Sequence, residues 1–397
     1  MRRTATRNAG VRMTEGVAAM DGARRLGVRV ALVHDSFTQW GGAERVAAVL
    51  HDMFPEAPMY TLAVDPSVLP PGMRGVEFRT SFAQGLPGMP ALAAYRRHLP
   101  LLPAAARSMR PRGFDLVVSS SSSFAHAVDV PGPCHVAYIH NTMRFAWDYA
   151  DYVSGMGWPG PVRALGAVGA HWLRGWDRRA GARPGVLVAN SSTVARRIRD
   201  RWRRQAEVIP PPVDLEGMIP GPDGGRVGFC VVTRLLPYKR VDAAIAAANL
   251  GGEPLTVVGA GVDLPRLRAM AGPTVTFAGP LSEADKRAVV ARSVALLVPG
   301  VEDFGIAPVE ANAAGTPVVA VAAGGVLDSQ RDGVTAVLVR EGTPEALLAG
   351  MRRAQEVRWD RAAIQASAGR FAVPAFRHRF QNILDAVLGA ARAERVG

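Results

Sequence analysis

The sequence predicts an α/β protein made of two doubly wound domains, each a largely parallel sheet with helices on both faces. Three observations predict it. Short apolar, β-rich runs alternate with helical patterns along most of the 397 residues, the pattern of parallel strands joined by helical crossovers. The runs number about a dozen, more than one ordinary sheet holds. Between them, residues 210–225 read Pro-Pro-Pro-Val-Asp-Leu-Glu-Gly-Met-Ile-Pro-Gly-Pro-Asp-Gly-Gly, a stretch that cannot hold a helix.

The first series of strand candidates is Val28–Val33, Met59–Ala63, Phe114–Ser119, Cys134–His140 and Val186–Asn190. A second series runs Ala206–Ile209, Val227–Thr233, Leu255–Val258, Val275–Ala278, Val294–Val298, Pro317–Ala320 and Ala336–Val339. Helical patterns fall between them at Ala43–Phe54, Val241–Asn249, Leu264–Ala271, Glu283–Ser293 and Pro344–Gln355. The expected organisation is a disordered Arg-rich tail over 1–26, an N-terminal domain over 27–212 and a linker over 213–225. A C-terminal domain follows over 226–375, with a last helix over 376–397 that packs back on the first domain. The tail lacks the apolar segment of a secretory signal.

Composition narrows the function. Two cysteines, Cys134 and Cys230, make neither a disulfide framework nor a Cys-rich zinc site. No uncharged apolar run is long enough to span a bilayer. The net charge is +13, and 45 of the 47 basic side chains are arginine. Residues 1–205 carry 27 basic and 14 acidic side chains, whereas 206–397 carry 20 of each. The basic half should attract polyanions: phosphorylated substrates, anionic lipid headgroups or nucleic acid. Tyr95–His98, Arg107, Arg110, Arg112 and the eleven arginines of 163–204 mix with apolar residues, which points to peripheral contact with an anionic membrane.

Five sites carry the chemistry. After the first strand, residues 34–45 end in Gly41-Gly42-Ala43-Glu44-Arg45. A glycine pair just before a helix lets backbone N–H groups approach an anion, or makes a tight turn. At 257–264, Gly259-Ala260-Gly261 precedes Leu264 where a dinucleotide fingerprint needs Gly or Ala, and no acid ends the next strand, which leaves a nicotinamide dehydrogenase a weak alternative. Arg234 and Lys239 follow strand Val227–Thr233, at the end of the strand where open α/β sheets bind ligands; a fixed cationic pair there suits a diphosphate. Glu302-Asp303-Phe304-Gly305-Ile306-Ala307-Pro308-Val309-Glu310 follows strand Val294–Val298. Pro308 suits a first helical position, so Gly305 and Ile306 would present N–H groups to an anion, with Glu302 before the helix and Glu310 in its first turn. His140 ends a strand, followed by Asn141, Arg144 and Asp148. The chain contains no D-x-D triplet and no metal-ligand spacing, so no metal or other cofactor is expected, and the protein supplies the positive charge.

With these residues placed, the chain from residue 27 onward resembles the retaining GT-B glycosyltransferases of family four. Gly41-Gly42-Ala43-Glu44-Arg45 looks like the N-terminal glycine loop of that family, Arg234 and Lys239 like its pyrophosphate pair, and Glu302 and Glu310 like its E-x7-E signature. Residues 138–148, 174–177, 189–191 and 208–214 are similar to mannosyltransferases of polysaccharide and O-antigen assembly. The strand before Asn190 and the Arg-rich tail depart from that pattern. The resemblance implies two Rossmann-like domains facing across a cleft. It implies mannose transfer from GDP-mannose, without metal and with retention, to a lipid-linked or glycan acceptor of the cell envelope. The location implied is cytoplasmic, at the inner face of the plasma membrane. It gives Glu310 the donor ribose, Glu302 the sugar hydroxyls, and Arg234 and Lys239 the diphosphate. Phe304, Gly305 and Ile306 offer backbone contacts, Gly41 and Gly42 close over the phosphates, and His140 meets the sugar near the reacting centre. The base rests against Thr276–Gly279, including Phe277 and Gly279. The competing expectations are a sugar-nucleotide 2-epimerase on the same plan and a non-catalytic nucleic-acid-binding protein. The second leaves both glutamates without a role, so no nucleic-acid partner is expected.

Overall fold

A computed structural model describes residues 27–130, 134–153, 159–218, 220–222 and 224–396; the Arg-rich tail lies outside the described residues. The first sheet contains β1 (Val30–His34), β2 (Met59–Thr61), β3 (Phe78–Thr80), β4 (Leu116–Ser121), β5 (His135–Ile139), β6 (Val186–Ala189) and β7 (Glu207–Val208). The second contains β8 (Phe229–Val232), β9 (Leu255–Val258), β10 (Val275–Gly279), β11 (Ala295–Val298), β12 (Val318–Val321) and β13 (Ala336–Val339). The orders are β3-β2-β1-β4-β5-β6-β7 and β10-β9-β8-β11-β12-β13, and the paired strands run parallel. Both sheets are doubly wound. Each reverses direction once, between β1 and β4 in the first and between β8 and β11 in the second, and the crevice beyond the strand ends at such a reversal is where ligands bind.

The strands read as unbroken apolar runs because both faces of each sheet are covered. Val30–His34 and Ala295–Val298 are buried at every position. Leu32, Leu50, Met59, Leu116, Val118, Val136 and Tyr138 build the core on one side of the first sheet. Phe229, Val231, Ile245, Leu255, Leu297, Val319 and Met351 build that of the second. Ser191, Ser282 and Thr343 cap helices Ser192–Trp202, Glu283–Arg292 and Pro344–Glu356 by accepting a backbone N–H of the first turn, as short hydroxyl side chains do at that position.

Three local expectations change. Ala206–Ile209, read as opening the second series, supplies β7 of the first sheet, where it pairs with β6. The three-residue edge strand β3 carries too little apolar pattern to stand out. The 22-residue helix Gly160–Gly181 also escaped, because its outer half shows apolar Val162, Leu165, Val168 and Trp172 to solvent and so lacks clean amphipathic periodicity.

The chain passes between the domains twice. The backbone N–H of Val213 donates to the Phe371 carbonyl at 2.8 Å, joining the two crossings side by side. Beyond them, helix Val373–Val396 sends Phe376, Phe380, Leu384 and Leu388 into the first core. Phe376 and Phe380 stack at 5.4 Å, and Tyr138 meets Phe376 edge-on at 5.6 Å. Among the described residues no helix is long and apolar enough to cross a membrane.

Phe380 is fully buried, so Phe380→Ala should cost about 3–5 kcal/mol. Urea unfolding followed by a probe in the first domain checks this; an unchanged midpoint would show that the last helix does not stabilise that core.

Candidate functional site

The second sheet supplies one wall of the cleft. Beyond β8 the chain turns through Pro237–Lys239 and packs against the loop after β11. Gly300 permits this approach, since a Cβ there would lie 2.8 Å from the Lys239 carbonyl oxygen. Lys239 Nζ consequently donates to both carboxylate oxygens of Glu302, at 2.7 and 2.5 Å. The Glu302 loop is clamped from behind by a glycine pair beyond β12. The Gly325 N–H donates to the Glu302 carbonyl at 2.8 Å, and a Cβ on Gly325 would meet the Asp303 carbonyl oxygen at 2.1 Å.

Gly305 takes φ +89°, a conformation that suits glycine, and starts helix Ile306–Ala313. Pro308 is thus the third helical residue and not the first; its missing N–H costs nothing there, because the first turn has no intrahelical acceptor. Glu310 falls in the second turn. Thr233, Lys239, Pro299, Glu302, Gly305 and Ile306 line a pocket of about 150 Å³ at the helix start.

The first sheet supplies the opposing wall. After β1, the buried Asp35 carboxylate accepts the backbone N–H groups of Ser122, Ser123, Phe124 and Ala125 at 2.5–2.9 Å. This ties the β1 loop to the β4 loop at the reversal point. Gly41 donates its N–H to Glu44 Oε2 at 2.9 Å and opens helix Gly42–Met53. A Cβ on Gly42 would lie 2.9 Å from Ile306 Cδ1, so the glycine loop and the Glu302–Glu310 segment touch across the cleft.

Charged contacts also cross. Arg45 donates to Glu310 Oε1 at 3.1 Å and to Glu283 Oε1 at 2.6 Å. Asp303 accepts from Asn141 Nδ2 at 2.9 Å and from Arg197. The Arg144 guanidinium lies 4.1 Å from the centre of the Tyr238 ring, and the Ser192 N–H donates to Asp328 Oδ2 at 2.8 Å.

His140, beside Asn141, pairs Nε2 with Ser120 Oγ at 2.8 Å, and Ser120 Oγ also meets His34 Nδ1 at 3.1 Å. Burial, helped by His34, pulls the His140 pKa from 6.5 to about 3, leaving a neutral imidazole. Its loop is held from below. Asp177, wholly buried, accepts the indole N–H groups of Trp147 and Trp202 at 2.6 and 2.7 Å. Arg201 bonds Asp148 at 2.5 Å and Thr142 at 2.7 Å.

The structure therefore brings Gly41, Gly42, Lys239, Glu302, Gly305, Ile306 and Glu310 to one cleft. Arg234 is exposed at its edge, reaching Gln39 Oε1 at 3.3 Å, while Lys239 turns from it to Glu302. The Phe304 side chain is buried against Phe371, ring centres 5.4 Å apart, so only its backbone is available to a ligand. The Phe277 ring packs on the second core, with the Arg268 guanidinium 5.8 Å from its centre, and Gly279 ends the edge strand β10. The Gly259-Ala260-Gly261 run has a packing cause: Cβ atoms there would strike the Thr233 and Leu235 carbonyls at 1.9 and 2.1 Å. Sequence reasoning missed Asp35, Arg197, Glu283, Lys286, Gly324 and Gly325. Of these only the glycine pair after a strand carried a local signal.

Residues 40–216 match the family model described as Glycosyltransferase Family 4, and residues 219–370 match that described as Glycosyl transferases group 1. The chain belongs to these GT-B glycosyltransferases. Among solved structures, HepE of Anabaena in complex with UDP and glucose superposes on this glycosyltransferase-family chain with a TM-score of 0.64 at 19% identity, covering 90% of this chain and 99% of that one. The lipopolysaccharide outer core galactosyltransferase WaaB gives 0.62 at 18%, with 90% and 99% covered. D-inositol 3-phosphate glycosyltransferase of Geodermatophilus obscurus is 34% identical over 199 residues, 42% of this chain and 44% of the relative. That of Salinispora arenicola is 36% identical over 193 residues, 38% and 43%. The chain thus spans less than half the length of these two D-inositol 3-phosphate glycosyltransferases. The kinship shown is with glycosyltransferases as a class; none of these four proteins bears a mannosyltransferase name.

His135 and His140 both have pKa values drawn from 6.5 down to about 3; burial is the main cause, followed by His126 and Arg183 for His135 and by His34 for His140. The unfolded chain takes up these protons below about 6.5 while the folded chain refuses them. Their contribution to stability is whole above that pH and drains away as pH falls toward 3, by up to about 1.4 kcal/mol per pH unit for each histidine. Urea unfolding at pH 7, 5.5 and 4.5 should show a shallower loss for His140→Asn than for the parent; equal slopes would contradict the buried neutral ring.

Proposed function

We propose that the protein is a retaining glycosyltransferase that moves mannose from GDP-mannose to a lipid-linked or glycan acceptor of the cell envelope. The observation that carries this reading is the pocket at the reversal point of the second sheet, where Lys239, Glu302 and the start of helix Ile306–Ala313 converge and Gly42 faces Ile306. A donor diphosphate fits the helix N-terminus, whose unpaired N–H groups and dipole favour an anion, with Lys239 and Arg234 as its cations. Lys239 then trades Glu302 for phosphate and frees that carboxylate for sugar hydroxyls. Glu310 takes the ribose diol. As the glycosidic bond breaks, negative charge gathers on the leaving phosphate, and each donor already aimed there contributes about 2.7–4 kcal/mol. Neutral His140 meets the sugar as a hydrogen-bonding group. No metal is required on this reading. The HepE complexes with UDP and with UDP-glucose support a nucleotide sugar as donor and make uridine the competing base.

The acceptor side is the basic domain. Val162, Leu165, Val168 and Trp172 form an exposed apolar stripe on helix Gly160–Gly181, with exposed Arg163 and Arg179 on the same helix. Such a face suits an anionic lipid surface and supports the reading that the enzyme works at the inner face of the plasma membrane.

The deciding assay offers GDP-mannose, UDP-glucose and UDP-GlcNAc with membrane extract as acceptor, with and without EDTA, and reads the product's anomeric configuration by NMR. Transfer with retention, undiminished by EDTA, is expected. Donor isomerisation without acceptor would replace this reading with an epimerase. Glu310→Ala should abolish donor binding, and Arg234→Ala should slow turnover about 10²–10³-fold with donor affinity largely kept; parental values in both would remove the site assignment. Trp172→Glu should reduce co-sedimentation with anionic vesicles at low salt, and binding insensitive to lipid charge would remove the membrane contact.

A further inference from the structure

The chain carries 45 arginines and two lysines, and both lysines stand on the paired glutamates of the site. Lys239 holds Glu302. Lys286, on helix Glu283–Arg292, donates to Glu283 Oε2 at 2.6 Å and lies 3.5 Å from Glu310 Oε2. Arg45 grips the other oxygen of each acid, Glu283 Oε1 at 2.6 Å and Glu310 Oε1 at 3.1 Å. The four side chains close a ring of alternating charge. Glu310 and Lys286 are its shielded members, with 12% and 14% of their side chains exposed.

The ring is uneven in origin. Lys286, Glu283 and Glu310 belong to the second domain and travel together. Arg45 belongs to the first, three residues beyond Gly42, and meets Glu310 across the cleft. A carboxylate has about four lone-pair positions. Two cations approaching one oxygen each leave positions for a diol while fixing the group's orientation. Both cations bridge the same two carboxylates, Lys286 through its single ammonium nitrogen and Arg45 through the two terminal nitrogens of its guanidinium fork, so the two differ in geometry and reach.

We propose that Lys286 is the positioning residue that holds Glu310 for the donor ribose, and that Arg45 reaches across the cleft to the same carboxylate and ties that subsite to domain closure. This rests on reading Glu310 as the ribose acceptor. Neither residue touches the reacting atoms; both act through Glu310.

The test is calorimetric titration of GDP, UDP and their 2′,3′-dideoxy forms into the full-length parent, Lys286→Met, Lys286→Arg and Arg45→Gln, each shown folded by circular dichroism. The parent should favour the ribose form of its nucleotide. Lys286→Met should lose about tenfold in affinity for the ribose form and under twofold for the dideoxy form, and Lys286→Arg should recover part of the loss. In small-angle scattering, Arg45→Gln should show a larger radius of gyration than the parent without nucleotide and close the gap when nucleotide is added. Equal weakening of both forms by Lys286→Met, or full retention of the preference, would overturn the role of Lys286. If Lys286→Met does not fold, Glu283→Gln, which removes the lysine's other partner, replaces it and should narrow the same preference; an unchanged preference would overturn the proposal. A parent that binds nucleotide without preferring ribose would remove the ribose reading of Glu310 and this proposal with it. A parent that binds neither nucleotide would remove the donor reading itself.

Discussion

Opposite charge facing across the cleft sets the relation of the two domains. Three acids of one short segment, Glu302, Asp303 and Glu310, each meet a cation: Lys239 from their own domain, Arg197 and Arg45 from the other. The surplus of arginine in the first half of the chain is therefore partly met by carboxylates of the second. These pairs are largely shielded from water, so removing one partner strands a charge that solvent only partly screens. Pairs on the open surface, such as Arg79 with Glu77, carry no comparable weight.

The same segment depends on close backbone approach. Gly300, Gly324 and Gly325 leave no room for side chains, and the Glu302 loop is pressed between the Lys239 turn and the loop after β12. Gly42 extends the arrangement across the cleft to Ile306. The charged groups are thus placed by main chain packed on main chain, which is stiffer than any placement by long side chains alone, and their mutual distances follow from the positions of β8, β11 and β12.

Much of this was legible in the residues. Apolar strands on a two-faced sheet announce themselves, and a glycine or proline beside a strand end marks where the chain must turn. Glu302, the Arg234 and Lys239 pair and the glycine loop could be found because each belongs to the segment that follows a strand, and Glu310 because it lies eight residues beyond Glu302. The partners that orient them could not. Arg45 and Arg197 reach Glu310 and Asp303 through pairings that join residues 265 and 106 positions apart, Lys286 reaches Glu310 from a different helix, and a charged residue on a helix reads as solvated whatever it faces. The buried Asp177 was equally hidden, since its two indole donors come from separate elements. The short edge strand β3 has no buried position, and helix Gly160–Gly181 turns Val162, Leu165, Val168 and Trp172 to solvent, so in neither does polarity follow burial and no periodicity results.

The last helix sets the order in which the molecule can be assembled. Its phenylalanines and leucines cover the Tyr138 side of the first sheet, yet they leave the ribosome after every strand of the second. During synthesis the nascent first half must stay unfinished, with part of its apolar face bare, while the later half is made and folds. The completed second half then sits close to where the closing helix must land, because the two crossings lie side by side. In translation the domain begun first is the one finished last.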